Sequence, residues 1–131
     1  MTKENISDII KFDAKGLIPA IVQDYKSKEI LMQAFMNEEA LKITLKTNLA
    51  HYFSRSKNRL WQKGETSGQT QKIKEILIDC DGDSLILRVE QNGVACHTGR
   101  KSCFYRKIDK DGNLEINQEI LVSEEELYGK K

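Results

Sequence analysis

The 131-residue chain reads as a strand-rich α+β fold in a single compact domain. Three observations predict it. Apolar residues alternate with polar ones in several short runs, the pattern of half-buried strands. Turn-forming residues separate those runs at hairpin distances. One segment alone joins helical spacing to a strong start signal. The length fits one domain, 1–131, with a core of its own.

Taken in order, Ile6, Ile9 and Ile10 within ENISDIIKF recur at helical spacing and predict a short N-terminal helix. IPAIVQDY (18–25) and ILMQAFM (30–36) are strands joined by the turn KSKE. Asn37 is a good N-cap for a helix through EEALKITLK, since its side-chain oxygen can accept a free backbone N–H. Glu38 and Glu39 suit the positive end of the helix dipole, and Ala40, Leu41, Thr44 and Leu45 form the packing face. AHYFSR (50–55) is a further strand. LWQKGETSGQTQ (60–71) is polar, holds two glycines, shows no period and is expected to be a loop. KIKEILI and SLILRVEQ are strands, and Leu85, Leu87 and Val89 share one face of the second. Asn92-Gly93 marks a turn. CFYRKI, DKDGN and LEIN form a C-terminal hairpin, and the SEEELYGKK tail a frayed helix.

Lys and Arg number 21 against 20 acidic residues, which argues against a general nucleic-acid binder. No apolar run approaches the roughly 18 residues that span a bilayer. The N-terminus lacks the features of a signal peptide, so a cytoplasmic location with reduced cysteines is expected. Three cysteines is an odd count that suits no disulfide framework.

All three cysteines fall between residues 79 and 103, with Asp79, Asp81, Asp83 and His97. On an extended chain the three aspartates would point to one side and Cys80 to the other. Close carboxylates want a hard cation such as Mg²⁺ or Ca²⁺. Cys80, Cys96 and Cys103 make three thiolate donors, which leaves a fourth zinc position open for water, the arrangement of a catalytic zinc. His97 is either a fourth ligand or a neighbouring acid/base. The competing readings are buried small hydrophobes, an ion-free acidic turn, and an EF-hand. The last needs glycine where Ser84 stands.

Four stretches then carry a resemblance: ILMQAFMNEEAL, YFSRSKNRLWQKGETSGQTQ, DCDGDSLILRV and QNGVACHTGRKSCF. In this order they resemble the phosphoribosyl-AMP cyclohydrolase family, from about residue 18 to about residue 104. The resemblance implies an intertwined homodimer with sites at the subunit interface. It implies one Zn²⁺ per subunit shared between subunits, with Cys80 from one and Cys96 and Cys103 from the other. It also implies one Mg²⁺ per subunit at Asp79, Asp81 and Asp83. The implied reaction is hydrolysis of the N1–C6 bond of phosphoribosyl-AMP to the formimino-aminoimidazole carboxamide ribotide, the third step of histidine biosynthesis. Some members are fused to a pyrophosphohydrolase domain, and this chain is expected to be monofunctional. Gln69 stands where many members carry His or Asn, and no chemical role is assigned to it.

For such a substrate, His97 is the first candidate for proton transfer and His51 the second, although His51 also suits a packed strand position. Ser54, Arg55 and Ser56 suit one phosphate. Lys63, Thr66, Ser67 and Gly68 suit the other. Trp61 is either a base-stacking side chain or a buried anchor. A nucleobase deaminase would need an H-x-E…P-C-x-x-C signature, which is absent. A metal-dependent binding module would need a closed zinc shell.

Overall fold

The computed structural model describes residues 6–128. Two strands, β1 (Ile18–Asp24) and β2 (Ile30–Met36), form the antiparallel hairpin expected, closed by a turn at residues 25–27. Asp24 Oδ1 accepts the N–H groups of Lys26 and Ser27 at 2.9 Å each, which fixes that turn. β5 (Gln71–Ile78) and β6 (Leu85–Gln91) form a second antiparallel pair, and β6 lies parallel to β1. The result is a four-stranded sheet in the order β2-β1-β6-β5. Ile18, Ala20, Val22, Leu85, Leu87 and Val89 alternate into the core from its two central strands and are fully buried.

Helix α2 (Glu38–Thr47) covers this core. Asn37 caps it, accepting the Ala40 N–H at 2.8 Å, and Asn48 ends it in the left-handed region. Ala40, Leu41 and Thr44 are buried as expected, but Leu45 is half exposed. The helix packs along a narrower stripe than its apolar spacing suggests.

The predicted loop at 60–71 needs correction. Its first residues belong to a strand, β4 (Arg59–Gln62), which pairs antiparallel with β3 (His51–Ser54). The pairing of Tyr52 with Trp61, rings 5.2 Å apart, makes this ribbon, and no local period announces it. The C-terminal hairpin forms from β7 (Arg106–Ile108) and β8 (Leu114–Ile116), shorter than expected. Cys103 is not in it, because its N–H is held by Leu31 O at 2.6 Å. The helices at the two ends are α1 (Ile6–Ile9) and α3 (Glu124–Tyr128); residues 4–5 and 129–131 of the predicted end helices lie outside the described residues. No helix of the described residues is long and apolar enough to cross a membrane.

Candidate active site

The β3–β4 ribbon and the loop after it wall a cleft of about 830 Å³. Ser54, Arg55, Ser56, Lys63, Thr66 and Ser67 all line it, so two stretches chosen for phosphate binding share one concavity. Gly68 is not in the lining: its N–H closes a turn onto Gly64 O at 2.8 Å, and Gly64 lines the cleft in its place. Five cationic side chains, Lys15, Arg55, Lys57, Arg59 and Lys63, face the cleft against one carboxylate, Glu65. Arg59 is spent on Glu65 at 2.7 Å. Arg55 stacks on the Phe35 ring at 4.1 Å, which orients its guanidinium fork. Trp61 lines the cleft while packing on buried Tyr52, so it is both wall and anchor.

Lys15, Gln33 and Phe35 also line the cleft and were not anticipated. They come from the segment before β1 and from β2, far along the chain. Phe35 stood in an already recognised strand. Its place beneath Arg55 depends on how β2 and β3 meet, which no local pattern reports.

Beyond β6 the chain bends at Asn92-Gly93 and enters an arm, residues 94–105. Backbone bonds from Ala95 N to Lys101 O (3.0 Å) and Cys96 N to Arg100 O (3.1 Å) close it into a narrow loop. Cys96 is buried and its Sγ lies 3.0 Å from Thr98 Oγ1. The Cys103 thiol is pushed up to about 12 by burial, by the charge of Cys96 and by a hydrogen bond with the Cys96 thiol. The two sulfurs are therefore neighbours. That shift favours the Cys103 thiol over its thiolate, and a bound soft metal would favour the thiolate instead. The Lys63 ammonium lies on this arm, donating to Ala95 O, and burial pulls it below the ordinary lysine range. Lys63 thus lines the cleft and touches the cysteine arm together.

The aspartates sit at the other end of β6, in the β5–β6 connection. Their carboxylates lie within 4.8 Å of one another, as expected, but not on an extended chain. A turn gathers them: Gly82 N donates to Asp79 O at 3.1 Å, and Asp79 Oδ1 accepts the N–H groups of Asp83 and Ser84 at 2.9 and 3.2 Å. Burial alone would raise the Asp79 carboxyl, yet hydrogen bonds from Asp83, Asp81 and the backbone bring it below the usual range. The Asp83 carboxyl is raised by hydrogen bonding to Asp81 and Asp79, then by burial and by their charges. Crowded oxygen donors of this kind fit a hard divalent cation. Gly82 has φ +76°, and a Cβ there would sit 2.1 Å from Ile9 O. The turn is thereby seated on the α1 segment, whose Lys11 N donates to Gly82 O at 2.8 Å.

Cys80 is exposed in this same turn. The seven residues of β6, roughly 20 Å at about 3.3 Å per residue, separate its end of the sheet from the Cys96 end. Among the described residues no further His, Cys, Asp or Glu joins Cys96 and Cys103 in a group of three. His97 is exposed on the arm beside Cys96. His51 is buried in β3, with Nδ1 2.8 Å from Leu49 O and its backbone N–H held by Thr44 Oγ1 at 2.9 Å; it does not line the cleft.

A cation-rich cleft beside a thiol pair is the make-up of an enzyme that handles a phosphorylated small molecule. The family model described as phosphoribosyl-AMP cyclohydrolase matches residues 32–105. The chain is 56% identical over 124 residues to a phosphoribosyl-AMP cyclohydrolase of Chlorobium phaeovibrioides, covering 95% of this chain and 90% of that protein. It is 53% identical over 128 residues to the protein of that name from Chlorobium chlorochromatii, with 98% and 93% covered. The histidine biosynthesis bifunctional protein HisIE of Wolinella succinogenes is 58% identical over 112 residues, 86% of this chain but 49% of its own length. The chain belongs to the phosphoribosyl-AMP cyclohydrolase family, and with it to the hydrolases of histidine biosynthesis.

Proposed function

We propose that this chain hydrolyses the N1–C6 bond of the adenine ring of phosphoribosyl-AMP in the cytoplasm, as a homodimer. The observation that carries the reading is Lys63, which joins the cation-rich cleft to the Cys96–Cys103 arm. Phosphates anchored in the cleft would bring the base up to the thiols. Arg55, held by Phe35, offers a fork to phosphate oxygens, with the Ser54 and Ser56 hydroxyls beside it. Thr66 and Ser67 serve the second phosphate from the opposite loop. The reaction adds water across the N1–C6 bond: the water oxygen becomes the carboxamide oxygen, and N1 leaves with a proton. To His97, exposed beside Cys96, we assign this proton traffic.

Cys80, Cys96 and Cys103 would hold one Zn²⁺ per subunit, and Asp79, Asp81 and Asp83 one Mg²⁺. Bound zinc supplies Lewis acidity that makes water nucleophilic near neutral pH. The thiol pair lacks a third donor of its own among the described residues, and Cys80 lies at the far end of β6. A second copy bringing its Cys80 to this arm meets both facts. Ile108, Leu114, Ile116, Ile120 and Leu121, in the segment that follows the arm, are each more than half exposed, apolar side chains that such a copy could cover.

The test is turnover of phosphoribosyl-AMP, read from the ultraviolet change on ring opening, with metal content assayed on the same sample. Activity lost on chelation and restored by Zn²⁺ with Mg²⁺ is expected. Full activity in metal-free protein would refute the zinc assignment, and no turnover by metal-loaded protein would refute the function.

A further inference from the structure

The loop between β4 and β5, residues 63–70, is bonded at both ends to the two residues that precede Cys96. At its start the Lys63 ammonium donates to Ala95 O at 2.5 Å. At its end Gln69 Oε1 accepts the Val94 N–H at 2.7 Å. Between these staples Gly64, Glu65, Thr66 and Ser67 line the cleft. The cleft wall and the cysteine arm therefore share one frame.

The Gln69 staple is built in with care for space. Gly93 has φ +77°, and a Cβ there would lie 1.6 Å from Gln69 Oε1. Glycine supplies both the backbone conformation and the seat for the amide. Val94 is buried, and the two amides after it are already held by Lys101 O and Arg100 O. Gln91 reinforces the joint: its Nε2 donates to Gln69 O at 3.2 Å and lies 3.4 Å from Val94 O. Its own Oε1 accepts from Gln71 Nε2 at 2.8 Å, and the Gln71 amide oxygen accepts the Tyr52 hydroxyl at 2.5 Å. Gln71 and Tyr52 are fully buried, and Tyr52 packs on the cleft wall through Trp61. Buried polar chains of this kind hold one arrangement because any lost partner leaves a desolvated group unpaired.

We propose that Gln69 is a positioning residue for the metal-binding thiols: by holding the Val94 N–H it sets where Cys96 stands relative to the cleft. The role rests on Cys96 and Cys103 being metal ligands, and Gln69 itself touches no reacting atom.

The test is titration of the full chain with Co²⁺ alone, followed by the thiolate-to-cobalt absorption. Gln69→Leu removes the acceptor at similar volume, and Gln69→Glu keeps an oxygen for Val94. Co²⁺ affinity is expected to fall about tenfold in the first and to stay within about threefold in the second, the scale at which partners behind metal ligands act. With substrate, Gln69→Leu is expected to lower kcat and leave KM within about twofold. Gln69→Ala, whose vacated space admits water to the Val94 amide, guards against a misfolded leucine variant and is expected to weaken Co²⁺ binding as well. Wild-type affinity in the leucine or alanine variant overturns the proposal. A glutamate variant as weak as leucine overturns it too, since the acceptor would then not matter. Wild-type protein with no thiolate band would end the metal reading itself and this role with it, an outcome separate from a failure confined to the variants.

Discussion

The two ends of β6 carry candidate metal ligands held in opposite ways. At one end, six residues from Asp79 to Ser84 fold on themselves into an exposed turn, and its hydrogen bonds are mostly its own. At the other, the arm bearing Cys96 and Cys103 is held by Leu31 and by Lys63 and Gln69, from two distant parts of the chain. A local turn can crowd carboxylates, because charge density needs only proximity. Two thiols seven positions apart along an arm, set beside a cleft, need tertiary structure to hold them in place.

The largest effect that would break this contrast lies in the arm. Cys103→Ala is expected to lower turnover by more than about 100-fold, beyond the loss from removing a partner behind a ligand, with zinc lost from a folded chain. Metal analysis and the ring-opening assay check it, and retained zinc would remove Cys103 from the site. His97→Ala is expected to keep zinc and lose about 100-fold in kcat, in the range of general acid–base catalysis. Loss of zinc instead would make His97 a ligand.

At the turn the expected effect is on stability. Gly82→Ala puts a Cβ against Ile9 O at a left-handed residue, and about 2 kcal/mol of destabilisation is expected from that strain. Urea denaturation measures it, and an unchanged midpoint would mean that the turn is not seated on the α1 segment. The smallest effect belongs to the cleft. Arg55→Ala is expected to raise KM about tenfold, near 1.4 kcal/mol, with kcat little altered. A fall in kcat at constant KM would place Arg55 at the reacting base and not at a phosphate.

The same contrast explains what the sequence disclosed. The carboxylate cluster was legible because Asp79, Asp81 and Asp83 lie within five residues, although a turn gathers them and not an extended strand. The β1–β2 hairpin and the capped helix α2 were legible because turn and cap residues act locally. Strand β4 was not, because Leu60, Trp61 and Gln62 become a strand only against β3. Leu45 belonged to the predicted helical face, yet it is half exposed, because apolar spacing does not report where the packing under a helix ends. In the site, the serines, Arg55 and Lys63 were readable from residue type. The ring beneath Arg55, the cation Lys15 and the Gln69 staple were not, since each depends on a contact between segments far apart in the chain.

In the proposed dimer, neither end of β6 completes the zinc site within one chain. The direct measurement mixes Cys80→Ala protein with Cys96→Ala protein, unfolds and refolds them together, and assays ring opening. Each variant alone should be inactive. Random pairing makes half the dimers mixed, each with one site holding Cys80 from one subunit and Cys96 and Cys103 from the other. Recovery of about a quarter of wild-type activity is the predicted result. No recovery on mixing, from variants that refold and dimerise, would contradict the shared site.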